Sequence, residues 1–302
     1  MSIGQVRVAV IGAGSVGRGW AAMCVAQGWP VSLYDSDAHT FDAAVTEIRA
    51  RARALVDLQL ADAAALDAGL TQLTLGRSIL EAWQKLFESI ESVAGSARAV
   101  TSSASALKPG DVFARCVRQD RCLVAHPLNP PELIPLVELV PGPVTDGALV
   151  EVVKGWLGAL GRIPVVIRKQ IPGNVATRVA AAVWREAIDL VLEGVIDVED
   201  LDRAVSVGPA LGWAAAGPHL TYHLAAGDRG VTGFLQHLLQ SFESIWRDLP
   251  TWSQLDQERQ RKLVHAIEKA YSDRVDTLRP ARDRRLGHIL TVMEAAPDSG
   301  RD

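Results

Sequence analysis

An apolar run that breaks into glycines, passes through a helical stretch and resumes as a second apolar run constrains this chain more than any other feature. Residues 6–35 read VRVAVIGAGSVGRGWAAMCVAQGWPVSLYD. The opening run suits a strand buried on both faces. It ends in Gly12-Ala13-Gly14-Ser15-Val16-Gly17, a G-x-G-x-x-G. In a strand–turn–helix setting Gly12 permits the tight turn, Gly14 lets the backbone approach a pyrophosphate, and Gly17 lets helix and strand pack closely. The helix start offers free N–H groups and partial positive charge to phosphates. Asp35 stands about 20 residues beyond the glycines, where a carboxylate accepts hydrogen bonds from a ribose 2′-hydroxyl. The stretch predicts a dinucleotide site, with Gly12, Gly14, Ser15, Val16, Gly17 and Asp35 around the cofactor.

At 302 residues the chain has room for two cores. Strand patterns recur at 73–75, 99–103, 122–126, 136–140 and 163–167; one helix is expected over 37–70 and another over 81–93. From residue 174 the pattern is helical, with segments at 174–193, 198–205, 230–246, 256–271 and 277–290. The expected architecture is α/β: a Rossmann-type doubly wound sheet over 1–171, then an all-α domain over 172–302. One interval is too short. Between the third strand and residue 99 only roughly 25 residues remain, against roughly 30 for one βαβ unit. The sheet is therefore expected to be shortened around strand four, with 78–80 as its remnant.

Net charge is −4, from 31 Lys and Arg against 35 Asp and Glu, which gives no reason to expect nucleic acid or an anionic membrane as partner. No apolar run has the length of a membrane span and the first residues lack a signal-peptide pattern, so a cytoplasmic protein is expected. Cys24, Cys116 and Cys122 have no zinc spacing and read as buried, reduced thiols. His219 and His223 share a helix face, but no third ligand stands near them in sequence, which favours packing over a metal.

His126 closes the apolar run 122–125, at a strand end, where catalytic groups of open α/β sheets gather. Glu138 follows twelve residues later, after a turn containing Pro127, Pro130, Pro131 and Pro135. Folded back, its strand would pair carboxylate with imidazole, fix the tautomer and make a general base. A histidine capping a turn is the plainer reading. Ser105, just past a strand in TSSASAL, and Asn174, opening a helix, read on their own as structural, Asn174 as an N-cap. Ser102 and Ser103 suit a turn.

Together the glycine turn, TSSASAL and HPLNPPELIPLVELVPG resemble the 3-hydroxyacyl-CoA dehydrogenase superfamily. The similarity is greatest to the branch holding lambda-crystallin (L-gulonate 3-dehydrogenase) and the L-carnitine dehydrogenases, and extends through GNVATRVAAAVWREAIDLVLEGV, DLDRAVSVG and GPHLTYHLAAG. The resemblance implies an NAD-dependent enzyme that oxidises a secondary 3-hydroxyl; the sequence offers no obvious basic surface for the nucleotide of CoA, which favours a small 3-hydroxy acid or related 3-hydroxy compound as substrate. L-Carnitine, a 3-hydroxyacyl-CoA or a non-catalytic, crystallin-like role are the alternatives. It implies His126 as base, Glu138 as its carboxylate, Ser105 and Asn174 on the substrate oxygen, and Ser103 and Glu81 beside the cofactor. A homodimer through the helical domain is implied too. One departure concerns Gly212, in Leu211-Gly212-Trp213, where the branch carries an arginine able to hold a carboxylate bidentately.

Overall fold

The computed structural model describes residues 6–35, 41–76, 97–105, 108–114 and 116–295. The strand remnant expected at 78–80, the helix expected over 81–93 and Glu81 lie outside the described residues.

The first elements are β1 (Val8–Ile11), α1 (Ser15–Ala26), β2 (Val31–Tyr34), α2 (Phe41–Asp57), α3 (Ala63–Thr71) and β3 (Leu73–Gly76). The three strands form a parallel sheet in the order β1-β2-β3, with Val8 opposite Val31 and Val31 opposite Leu73. Ala21, Ala22 and Ala26 of α1 are fully buried; their small side chains let α2 approach, where Ala44, Ile48 and Ala52 recur at helical spacing against it. The single helix expected over 37–70 is two helices. Gln59 takes a left-handed conformation (φ 61°), and the Asp62 carboxylate accepts from the Ala64 and Ala65 N–H groups to start α3.

The second sheet runs β4 (Val100–Ser102), β5 (Cys122–Pro127), β6 (Leu136–Pro141) and β7 (Ile163–Val166), in that order. β4 and β5 are parallel, β5 and β6 antiparallel, β6 and β7 parallel. Between them lie α4 (Pro109–Val112) and α5 (Gly147–Ala159), which the sequence reading did not include. Leu149, Val150, Val153 and Leu157 of α5 cover one face of β5 and β6, while Phe113, Cys116 and Ile167 cover the other. Cover on both faces buries all six residues of β5, which is why that strand reads as a near-continuous apolar run. Truncating Leu123 or Leu139, each fully buried, would cost about 2–5 kcal/mol.

The remaining helices are α6 (Ala176–Leu192), α7 (Val198–Val207), α8 (Pro209–Ala216), α9 (Pro218–Leu224), α10 (Gly230–Asp248), α11 (Gln257–Tyr271) and α12 (Val275–Ala295). α9 is the helix on which His219 and His223 would share a face, whereas α8 has no counterpart in the sequence expectations; each opens on proline, a residue suited to a helix's first turn. The chain divides into two compact units, one holding everything up to Arg178 with the stretch from Ala281, the other Val179–Pro280. In the first, Leu286 of α12 packs against the α1–α2 core. In the second, Asp189 of α6 accepts from the Trp252 indole at 3.1 Å and from Arg259 at 2.6 Å. His223 accepts the Val231 N–H at 3.1 Å, a structural use of that ring at the start of α10. Among the described residues no helix is long and apolar enough to cross a membrane.

Candidate active site

The connection from β1 to α1 takes the geometry that its glycines permit. Gly12 has φ 100°, which an L side chain rarely adopts. A Cβ on Gly17 would lie 1.9 Å from the Gly12 carbonyl oxygen, so the helix can start this close to the strand only with glycine there. A Cβ on Gly14 would meet nothing within 4 Å, so its backbone faces open space. Gly14 is the N-cap of α1 and no side chain caps the helix, which leaves its first N–H groups to a ligand. Asp35, at the end of β2, accepts the Ala13 N–H at 2.6 Å and so lies against the same turn. An open backbone, an uncapped helix start and an adjacent carboxylate fit the pyrophosphate and ribose of a dinucleotide.

On the second sheet, His126 and Glu138 are direct cross-strand partners on β5 and β6. The His126 Nδ1 to Glu138 Oε2 distance is 3.0 Å, with the residues 7% and 1% exposed. Glu138 Oε1 accepts the N–H groups of Val175 and Ala176 at 2.8 and 2.9 Å. The start of α6 is thus capped by a carboxylate 37 residues upstream, where negative charge meets the positive end of the helix. An ionised Glu138 accepts in each of these contacts, which calls for the proton of a neutral His126 on Nδ1 and its lone pair on Nε2.

Because Glu138 takes the capping role, Asn174 is relieved of it. The residue is left-handed (φ 51°), 5% exposed, and its Nδ2 has no partner among the described residues. A buried amide donor in a native site calls for an acceptor, and a substrate oxygen is one. Ser102 is the turn residue of its pair, its hydroxyl accepting the Ala104 N–H. Ser103 instead holds the Trp20 indole N–H at 3.1 Å.

A cavity of about 290 Å³ is lined by Val16, Ser103, Ser105, His126, Asn129 and Thr177, with Pro127 and Leu128. The first turn of α1, the serine segment after β4 and the end of β5 therefore meet in one space. Asn129, Thr177 and Trp20 were not singled out from the sequence. Asn129 sits inside the proline turn that was. For Thr177 and Trp20 no local signal exists, since each reaches the site from another element. The three cysteines are buried, and burial pushes the Cys24 thiol up to about 12, against the opposing charge of Arg162. That is an inert thiol.

Residues 7–83 and 77–171 match the NAD-binding domain of 3-hydroxyacyl-CoA dehydrogenase, and 173–265 match its C-terminal domain. The chain belongs to the 3-hydroxyacyl-CoA dehydrogenase family. Among its relatives, the L-carnitine dehydrogenase of Streptomyces griseus subsp. griseus is 32% identical over 98% of this chain and 92% of that one. The L-carnitine dehydrogenase of Bacillus cereus is 30% identical over 95% and 92%. In fold, the chain is similar to 5-formyl-3-hydroxy-2-methylpyridine 4-carboxylic acid 5-dehydrogenase, described as an NAD+-dependent dismutase. That likeness has TM-score 0.75 and 24% identity, over 96% of this chain and 98% of that one. As a family member the protein is an NAD-dependent oxidoreductase acting on a 3-hydroxyl group.

Proposed function

We propose that this dehydrogenase oxidises the 3-hydroxyl of a small free 3-hydroxy acid, with His126 as general base. One observation carries the reading: His126, oriented by Glu138, shares a cavity with Val16 of the dinucleotide turn. His126 Nε2 takes the hydroxyl proton, and the O–H electron pair becomes the second bond of the new carbonyl. NAD, when bound, supplies the acceptor for the hydride leaving the same carbon. Ser105 and the unpartnered Nδ2 of Asn174 hold the substrate oxygen, and Glu138 stabilises the imidazolium that forms. Gly12, Gly14, Ser15, Val16, Gly17, Asp35, Ser103 and Glu81 are assigned to the cofactor.

The compact cavity favours a small substrate. Kinship with two L-carnitine dehydrogenases over nearly the whole chain makes L-carnitine the first compound to test. Gly212 offers no cation to a carboxylate, which distinguishes this chain from the branch pattern. We assign 1–171 to cofactor binding and 172–302 to substrate binding and dimerisation, on the branch that also holds lambda-crystallin, in a cytoplasmic protein. Exposed Val179, Trp184, Leu235, Ile245 and Trp246 in the helical unit supply apolar surface for a homodimer.

The test is a screen of L-carnitine, 3-hydroxybutyrate, L-gulonate and short 3-hydroxyacyl-CoAs by NADH absorbance, with His126→Ala alongside. A free 3-hydroxy acid should be turned over by the parent enzyme and not by the variant, which should still bind NADH. Turnover restricted to acyl-CoAs, or an active variant, overturns the reading.

A further inference from the structure

α1 and the loop following β5 meet at a place with no room to spare. A Cβ on Gly19 would lie 2.3 Å from Pro131 Cγ and 2.6 Å from Glu132 Oε2, so only hydrogen fits between helix and loop. Around this contact runs a chain of alternating charge. Arg18 of α1 pairs with Glu47 of α2, and Glu47 pairs with Arg51 one turn further on. Arg51 Nη1 reaches both carboxylate oxygens of Glu132, at 3.0 and 3.3 Å. Partial burial favours the neutral form of Glu47, but hydrogen bonds from Arg18 and Arg51 outweigh it and hold its carboxyl below the usual carboxylate range.

Both arginines also hold the glycine turn. Arg18 Nε donates to the Ala13 carbonyl at 2.6 Å, and Arg51 Nη1 to the Ser15 carbonyl at 3.3 Å. A trans peptide sets its C=O and N–H in opposite directions. Fixing those two carbonyls therefore fixes the directions of the Gly14 and Val16 N–H groups, which belong to the dinucleotide turn. At the far end of the chain, Glu132 is 7% exposed and sits in the loop between His126 and Glu138. The same loop is gripped through its main chain by Arg162, which donates to the carbonyls of Pro131, Glu132 and Ile134. The backbone clamp holds the loop in place, and the Arg51–Glu132 pair ties it to the turn.

We propose that Arg51 and Glu132 are positioning residues that couple the dinucleotide turn to the His126 loop, so that cofactor on the turn also orders the loop carrying Asn129. This rests on the site assigned above. A ligand that biases the turn then shifts the loop by the difference in the contacts it makes with each arrangement.

Hydrogen exchange of the full-length protein, with and without saturating NADH, tests it in parent, Arg51→Met, Arg51→Lys and Glu132→Gln proteins. In the parent, NADH should slow exchange both at the glycine turn and at the Leu128, Asn129, Glu132, Leu133 and Ile134 amides. The loop effect should be roughly fivefold or more, the low end of ordinary site coupling. In Arg51→Met and Glu132→Gln the turn should still be protected by NADH while the loop increment falls below about twofold; Arg51→Lys should restore part of it. A merely structural pair would raise loop exchange in the free protein and leave the NADH-dependent increment untouched. That outcome, or a parent loop that ignores NADH, overturns the coupling. Absence of NADH protection at the turn itself in the parent would overturn the cofactor site, and the coupling with it.

Discussion

Replacing Glu138 by glutamine changes one atom of the site, and the structure dictates the consequence. The carboxylate serves three donors: His126 Nδ1 at 3.0 Å, and the Val175 and Ala176 N–H groups at 2.8 and 2.9 Å. Glutamine has the same shape but one acceptor oxygen. With that oxygen kept on the two α6 amides, its NH2 faces Nδ1, and a donor cannot meet a donor. The imidazole must then carry its proton on Nε2, the nitrogen that should accept the substrate proton. Turning the amide over instead sets its NH2 against two backbone N–H groups at 1% exposure, which is no better. Loss of the correct histidine tautomer in a comparable carboxylate–histidine pair costs about 10⁴ in kcat. We therefore expect Glu138→Gln to lower kcat by about 10³–10⁴, or roughly 4–5.5 kcal/mol of barrier at 1.36 kcal/mol per decade. Weaker capping of α6 should remove about 1–3 kcal/mol of stability. NADH absorbance measures the first effect and thermal unfolding the second. Nitrogen NMR of the imidazole reads the tautomer without any substrate. A variant that keeps kcat within about tenfold, or whose His126 remains protonated on Nδ1, would refute the assignment of Glu138.

Three further outcomes are expected. Gly17→Ala should lower stability by about 1–3 kcal/mol or more and weaken NADH binding, because its Cβ would fall 1.9 Å from a backbone oxygen; unchanged melting and an unchanged NADH titration would contradict the turn geometry. With Asp35 against the turn, NAD should be used in preference to NADP, whose 2′-phosphate would meet the carboxylate, and Asp35→Ala should narrow the difference. Equal use by the parent enzyme would remove Asp35 from the ribose site. Sedimentation should show two chains together, and Trp184→Asp, at a residue 59% exposed on α6, should favour single chains; a parent protein that sediments as a monomer at micromolar concentration would end the dimer proposal.

The legible parts of this molecule were those written into consecutive residues. β5 and β6 stand out as apolar runs because they are covered on both faces, and the glycine turn because each glycine answers a separate steric demand. The break between α2 and α3 was missed since alanine and leucine continue through it; Gln59 and the cap at Asp62 interrupt a pattern that periodicity alone would extend. Taken by itself Asn174 reads as an N-cap, because the group that actually caps α6 lies 37 residues away on a strand, and only the family resemblance pointed it to the substrate oxygen. The Arg51–Glu132 pair, 81 residues apart, and the Trp20–Ser103 bond, 83 apart, have no local trace. Chemistry assembled across the fold leaves single residues looking ordinary.

The cap that Glu138 places on α6 also bears on how the protein can be cut. A fragment ending at Gly173 would contain both strands, His126 and Glu138, and would look like a self-sufficient catalytic half. It would lack the Val175 and Ala176 amides, and so hold a carboxylate, 1% exposed in the whole protein, with two of its three donors removed. Such a fragment would have to open the sheet end to water or protonate the acid, and either change releases the histidine. The border suggested by strands giving way to helices is thus a poor place for scissors: the working unit of the first half extends at least into the opening turn of α6.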